Sequence, residues 1–199
     1  NSLNMEIIIH RVNSINFLKE IPRYFGTEID IRAFGSKLIL NHEPFQNGED
    51  FDDYLDEFNH GTLILNIKEA GIENEVLRRV RLREKIKSYF LLDVEFPYLY
   101  RASRDGEKSI AVRYSEDESI DTVKKYFGKV DWLWIDTLTT LPITHETVDV
   151  FTHFKTCLVC PERWGRPNDI HKYNSRLSEL GISLDAVMTA SMYASNWHE

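Results

Sequence analysis

The chain has 199 residues, a formal net charge of -8 and 42% hydrophobic content. That length suits one globular domain with a sizeable core, and the acidic balance argues against a nucleic-acid partner held by bulk electrostatics. Two cysteines, Cys157 and Cys160, exclude a disulfide framework, and no apolar run approaches the roughly 20 residues of a membrane span.

The chain begins NSLNMEIIIH, with no basic region before a short apolar stretch, so no signal peptide is read there and the cytoplasm is the expected compartment. Residues 5–9 (MEIII) form the first predicted strand, and they run straight into His10 and Arg11. Residues 14–25 then read as a helix, with Ser14 as N-cap and Pro22 as a break or kink. Two β segments follow, 27–34 and 37–43, joined by a turn at Gly35-Ser36. An acidic stretch over 49–57 reads as a solvated loop and helix face. Further strands are predicted at 62–69, 89–96, 109–115, 130–138, 155–162 and 184–190. Between them, 73–90, 118–128, 144–154 and 169–181 carry helical spacing, and Gly128 and Gly181 supply stops.

Most of the strand segments are continuously apolar, as in strands covered on both faces. Strands alternating with helices imply parallel pairing through helical crossovers. The glycine-rich phosphate turn of open nucleotide-binding sheets is absent. Polar residues end many strands instead, which suits a barrel whose strand ends gather at one mouth. The expectation is a single compact (β/α)8 TIM barrel over residues 1–199.

Parity sorts the polar residues. Glu28 and Asp30 are two apart and share one strand face, while Ile29 and Ile31 take the other. Two carboxylates inside a barrel need positive company, either a divalent metal or Arg11 and Lys68. Asn66 and Lys68 share a face, as do Asp93 and Glu95. The 27–43 hairpin brings His42, with Glu43 beside it, back toward the carboxylates. Two imidazoles, two carboxylates and two cations form a coherent set for cleaving a phosphodiester: carboxylates hold a hard ion, cations hold phosphate, and two histidines act as acid and base.

The order His10-Arg11, then Glu28-x-Asp30, then His42 resembles the glycerophosphodiester phosphodiesterase family, (β/α)8 barrels related to phosphatidylinositol-specific phospholipase C. The resemblance implies catalytic roles for His10 and His42, phosphate binding by Arg11 and Lys68, and a Mg2+ or Ca2+ site that includes Glu28 and Asp30. The family follows its second histidine with Asp, where this chain has Glu43, and carries Glu-x-Lys on the third strand, where this chain has Asn66-Ile67-Lys68. Asn66 can coordinate through its carbonyl oxygen but brings no charge, and Glu95 on the next strand is a candidate replacement ligand. The family's insertion after the second histidine is also missing: only residues 43–61 separate His42 from the third strand. The motif match covers roughly the first 70 residues. The implied substrate is a small glycerophosphodiester or a related alkyl or sugar phosphodiester.

Two rival readings stand beside this one. A catalytically silent barrel would bind a phosphorylated ligand or a partner. A metal-independent phosphodiesterase would let an arginine do the work of the metal, and Arg113 is placed to serve. Elsewhere the plainer readings hold. Cys157 and Cys160 are core thiols, His145 and His153 surface residues, and Trp132 and Trp134 core side chains on one strand face. Trp164, Arg163 and Arg166 are candidates for lining a cleft or a second phosphate site.

Overall fold

Pro22 decides where the first helix ends. In the computed structural model, which describes residues 5–198, helix α1 (Ile15–Glu20) begins as expected, with Ser14 Oγ accepting the Phe17 N–H at 3.1 Å. It ends at Ile21, whose backbone is extended (φ -86°, ψ 130°). The ring of the following proline excludes the helical conformation there.

The chain forms two compact units, Ile8–Tyr100 and Arg101–Glu199 with Asn1–Ile7. In the first unit the central element is the nine-residue β2 (Gly26–Phe34). One edge of β2 pairs in parallel with β5 (Leu63–Ile67). The other edge is shared by two strands. Ile8 and Ile9 of β1 (Glu6–Ile9) pair in parallel with Gly26 and Thr27. β3 (Lys37–Leu40) then returns antiparallel along Ile31–Phe34, through a turn in which Gly35 takes φ +63°. A two-residue strand β4 (Glu49–Asp50) extends β3, and β6 (Tyr89–Leu92) pairs with β5.

The acidic stretch is more ordered than its composition suggested. Asp50 Oδ2 caps helix α2 (Phe51–Glu57) by accepting the Asp53 N–H at 3.0 Å. Asp52 and Asp56 meet Arg79 and Arg83 at 2.8–3.0 Å. The run is therefore partly the docking face between α2 and the chain around α3 (Glu73–Arg81). Helix α3 is shorter than expected because its apolar stripe lapses after Val80: Leu82 lies off it and stands exposed. The strand expected to reach residue 96 stops at Leu92. Asp93 takes a left-handed conformation (φ +58°), and Phe96–Arg104 form α4 instead.

In the second unit four short strands pair in parallel in the order β7 (Ala111–Tyr114), β8 (Trp132–Ile135), β9 (Lys155–Val159) and β10 (Ala186–Thr189). Helices α5 (Ile120–Lys124), α6 (Val148–Phe151) and α7 (Asp169–Leu180) run between them. Gly181 ends α7 at φ +66°, as its sequence position predicted. Trp132, Trp134, Cys157 and Cys160 are buried.

The fold is mixed α/β, but the expected closed barrel is not formed. A closed ring gives every strand two neighbours. Among the described residues β6 pairs with β5 alone and β7 with β8 alone, so both ladders are open-ended. No helix of the described residues is long and apolar enough to cross a membrane.

Candidate active site

The site begins at a gap in a strand edge. β1 leaves β2 after Ile9–Thr27, and β3 joins it only at Leu40–Ile31. The backbone of Glu28 and Asp30 is thus left without a strand partner on that side. Irregular chain fills the gap: Val12 N–H donates to the Glu28 carbonyl at 2.8 Å, and Asn41 N–H to the Asp30 carbonyl at 3.0 Å. Arg11 makes this possible by turning left-handed (φ +52°), with its N–H donating to Glu28 Oε1 at 2.8 Å. His10 and Arg11 are therefore lifted off the strand beside the carboxylates. Three isoleucines hold β1 in the core, and the pair after them turns out into the site.

Glu28 and Asp30 occupy one face of β2, as parity required, and both are buried. Asn66 is the register partner of Asp30 on β5 and donates its amide to Glu28 Oε2 at 3.0 Å. Lys68 Nζ lies 3.6 Å from Asp30 Oδ1, close enough for an ion pair and too far for a hydrogen bond. One ammonium does not neutralise two buried carboxylates. Burial, followed by the charge of Asp30, pushes the Glu28 carboxyl up to about 7, against the pull of the Asn66 amide, the Arg11 N–H and Lys68.

Asp30 Oδ1 and Asn66 Oδ1 are buried and accept no hydrogen bond. Buried polar atoms are normally hydrogen-bonded, so these two oxygens on adjacent strands, one of them with only the Lys68 ammonium at 3.6 Å, point to a missing partner. The donor set of two carboxylates and an amide oxygen is the hard, all-oxygen type that suits Mg2+ or Ca2+. Among the described residues no group of three or more His, Cys, Asp or Glu is arranged for a metal, and the third oxygen donor here is an amide. Glu95 is not brought to the cluster. It is exposed at the start of α4, where its carbonyl accepts the Leu99 N–H at 3.0 Å.

His42 follows β3 on the same edge. Its Nε2 lies 2.8 Å from Arg11 Nη2, and its Nδ1 lies 2.8 Å from Glu43 Oε1. A guanidinium carries only donors, so Nε2 accepts and the imidazole proton sits on Nδ1, donated to Glu43. The bond from His42 in turn holds the Glu43 carboxyl below its ordinary range. His10 Nε2 stands 4.0 Å from Glu28 Oε1.

Two residues that the sequence did not single out complete the arrangement. Asn13 grips Asp30 twice, its amide donating to Oδ2 and its oxygen accepting the Asp30 N–H, both at 2.9 Å. No local pattern announces that contact, which spans 17 positions. Arg32 reaches three carbonyls: Asn41 at 3.2 Å, His42 at 2.8 Å and Lys68 at 3.4 Å. Arg32 could have been found, because residues 28, 30 and 32 share one parity.

The second unit engages its polar strand ends with one another. Arg113 Nη2 donates to Asp136 Oδ2 at 2.9 Å and its Nε to Glu118 Oε1 at 3.3 Å. Trp164 Nε1 donates to Asp136 Oδ1 at 2.9 Å, and Arg163 lies over the Trp164 ring. Arg166 is committed to the carbonyls of Thr137 and Leu138 and to the Tyr173 hydroxyl. A cavity of about 310 Å³ opens in this unit between the 139–141 loop and α7, and none of the candidate residues lines it.

No family model matches the sequence, and no curated protein matches it. Among solved structures the fold is similar to that of a phosphodiesterase from Oleispira antarctica, determined in complex with the product sn-glycerol-3-phosphate. The TM-score is 0.62 at 15% sequence identity, covering 97% of this chain and 95% of that one. The likeness is one of fold.

Proposed function

We propose that the chain is a phosphodiesterase, hydrolysing a glycerophosphodiester or a related alkyl or sugar phosphodiester. The observation that carries this reading is the set state of His42. Its Nδ1 proton is held by Glu43 and its Nε2 lone pair accepts from the Arg11 guanidinium at 2.8 Å, within the cluster that contains His10. That is the arrangement of a general base oriented by a carboxylate. The fold similarity to a phosphodiesterase adds support.

In the first step His42 Nε2 takes the proton of a substrate hydroxyl neighbouring the phosphate. The hydroxyl oxygen attacks phosphorus, the bond to the leaving alcohol breaks, and His10 gives that alcohol its proton. The product is a cyclic phosphodiester. In the second step His10 takes a proton from water, the water oxygen attacks phosphorus, the ring bond breaks, and His42 returns its proton to the ring oxygen. Arg11 and Lys68 bind the phosphoryl oxygens, where negative charge grows. Glu28, Asp30 and Asn66 would hold a Mg2+ or Ca2+ ion, which supplies further charge stabilisation at those oxygens. Asn13 holds Asp30, and Arg32 holds the backbone that carries His42 and Lys68.

The rival reading, a binding protein without catalysis, draws on the Asn66–Glu28 hydrogen bond, which ties up one carboxylate oxygen. A panel of glycerophosphodiesters, each with a free hydroxyl next to the phosphate, assayed with Mg2+, Ca2+ or chelator, separates the two. Turnover lost in both His10→Ala and His42→Ala is the expected result. Turnover that survives both substitutions sinks the catalytic assignment, and silence across the panel with tight phosphate binding favours the binder.

A further inference from the structure

Arg11 contacts the one atom that the proposed base needs. Its Nη2 sits on His42 Nε2 at 2.8 Å, so the lone pair that would accept a proton already accepts a hydrogen bond. Everything else around this contact is fixed. The Arg11 backbone is pinned by its N–H on Glu28 Oε1, and the next residue by Val12 N–H on the Glu28 carbonyl. The His42 ring is held by Glu43, and its carbonyl by Arg32 at 2.8 Å. The part left to move is the Arg11 side chain, which is exposed. A left-handed non-glycine backbone is a costly conformation, and such strain gathers at functional sites.

We propose that Arg11 is a latch on His42 that a phosphoryl oxyanion releases. A guanidinium bonded to a neutral imidazole exchanges readily for a bidentate pair with a phosphate, because the phosphate adds an opposite charge and a second, parallel N–H···O bond that a single imidazole lone pair cannot offer. On binding, the phosphoryl group draws Arg11 onto its own oxygens and frees Nε2. A base that is exposed only when an anion is seated is inactive toward neutral esters and toward water in the resting protein. The device thus selects anionic substrates at the level of the base. It deepens the phosphodiesterase reading and rests on it for its purpose, though not for its test.

The test needs no turnover. Protein labelled with 15N at histidine is studied with chelator at pH about 8.5, above the ordinary imidazole value of about 6.5. sn-Glycerol 3-phosphate, inorganic phosphate and glycerol are added separately. With either anion, the His42 Nε2 resonance is expected to move downfield, as a lone pair does when its hydrogen bond is lost, while the Nδ1 proton shared with Glu43 stays in place. Glycerol is expected to leave it unmoved. Arg11→Ala should show the released position with no ligand present. A His42 Nε2 signal that ignores both anions, or that answers glycerol equally, overturns the latch, and the wild-type titration decides this even if Arg11→Ala does not fold. Hydrolysis without the shift leaves the phosphodiesterase reading standing and removes the latch. The shift without hydrolysis does the reverse.

Discussion

The two units treat the polar residues at their strand ends differently. In the Arg101–Glu199 unit these residues close on one another. Asp136 takes bonds from Arg113, Trp164 and the Thr137 N–H. Glu162 accepts from Thr189 at 3.0 and 3.1 Å, and Thr189 accepts from Trp197 at 3.1 Å. In the Ile8–Tyr100 unit the floor of β2 and β5 leaves two buried oxygens without a hydrogen bond, on Asp30 and Asn66, and its guanidinium rests on an imidazole lone pair. Glu116 and Glu118 in the other unit also show a bare oxygen each, but on loop side chains that are only part-buried. A polar network whose buried members are all satisfied rigidifies a fold, and one left open on its floor is prepared for something else to complete it.

That contrast can be broken or sharpened by experiment. The largest effect belongs to the open cluster. His42→Ala should lower phosphodiester turnover by roughly 10²–10⁴-fold, with little change in thermal midpoint. A loss of stability matching the loss of rate would make the residue structural. Arg32→Met should follow, with turnover reduced about tenfold, since a lost hydrogen bond of about 1–1.5 kcal/mol at a positioning group has that weight. A wild-type rate in Arg32→Met removes its positioning role. Asn66→Glu adds a charge beside Asp30 and is expected to tighten Ca2+ binding about tenfold by calorimetry, the equivalent of about 1.4 kcal/mol. Unchanged or weaker binding argues that the cluster does not hold a divalent ion. In the closed network, Arg113→Ala should cost about 1–3 kcal/mol of stability through the bonds lost at buried Asp136, while turnover per folded molecule stays. A collapse of turnover instead favours the metal-independent reading in which Arg113 acts on the phosphate.

The last effect is a pH slope. The Glu28 carboxyl is raised from 4.5 to about 7, so between those values the folded state holds a proton that the unfolded state has lost. Its contribution to stability is therefore greatest below 4.5, falls as pH rises through 7, and levels above. Glu28→Gln should flatten that segment of a thermal-melt series run in chelator. An unchanged slope would assign it to another group.

The site was legible where strand periodicity and turn chemistry reach. The alternation in residues 27–34 put Glu28 and Asp30 on one face, and Gly35 announced the hairpin that returns His42. Asn13 was not legible, because its bonds to Asp30 depend on β1 stopping short of the β2 edge. Barrel closure was not legible either: it rests on which four-residue strands find second partners, and no local pattern encodes that. Helix α4 was missed because Val94 and Phe96 carry the apolar pattern of β6 a few residues past its end at Leu92, where a short apolar run reads equally as strand or helix. The helix expected over 144–154 shrank to Val148–Phe151, too short a piece for spacing to bound.

Gly48 carries a consequence for how the protein can change. A Cβ at this position would collide with the Leu40 carbonyl, so the chain that departs from β3 at Leu40 is clamped to itself eight positions later. The Asn41 amide on the Asn47 carbonyl at 3.0 Å fastens the same neck, and Glu49 beyond it binds the Ile15 N–H. Between the fastenings Phe45 stands 96% exposed. Residues 44–46 are thus a detachable tip on a fixed collar. New segments can be grafted there, and the frame behind them need not be rebuilt each time.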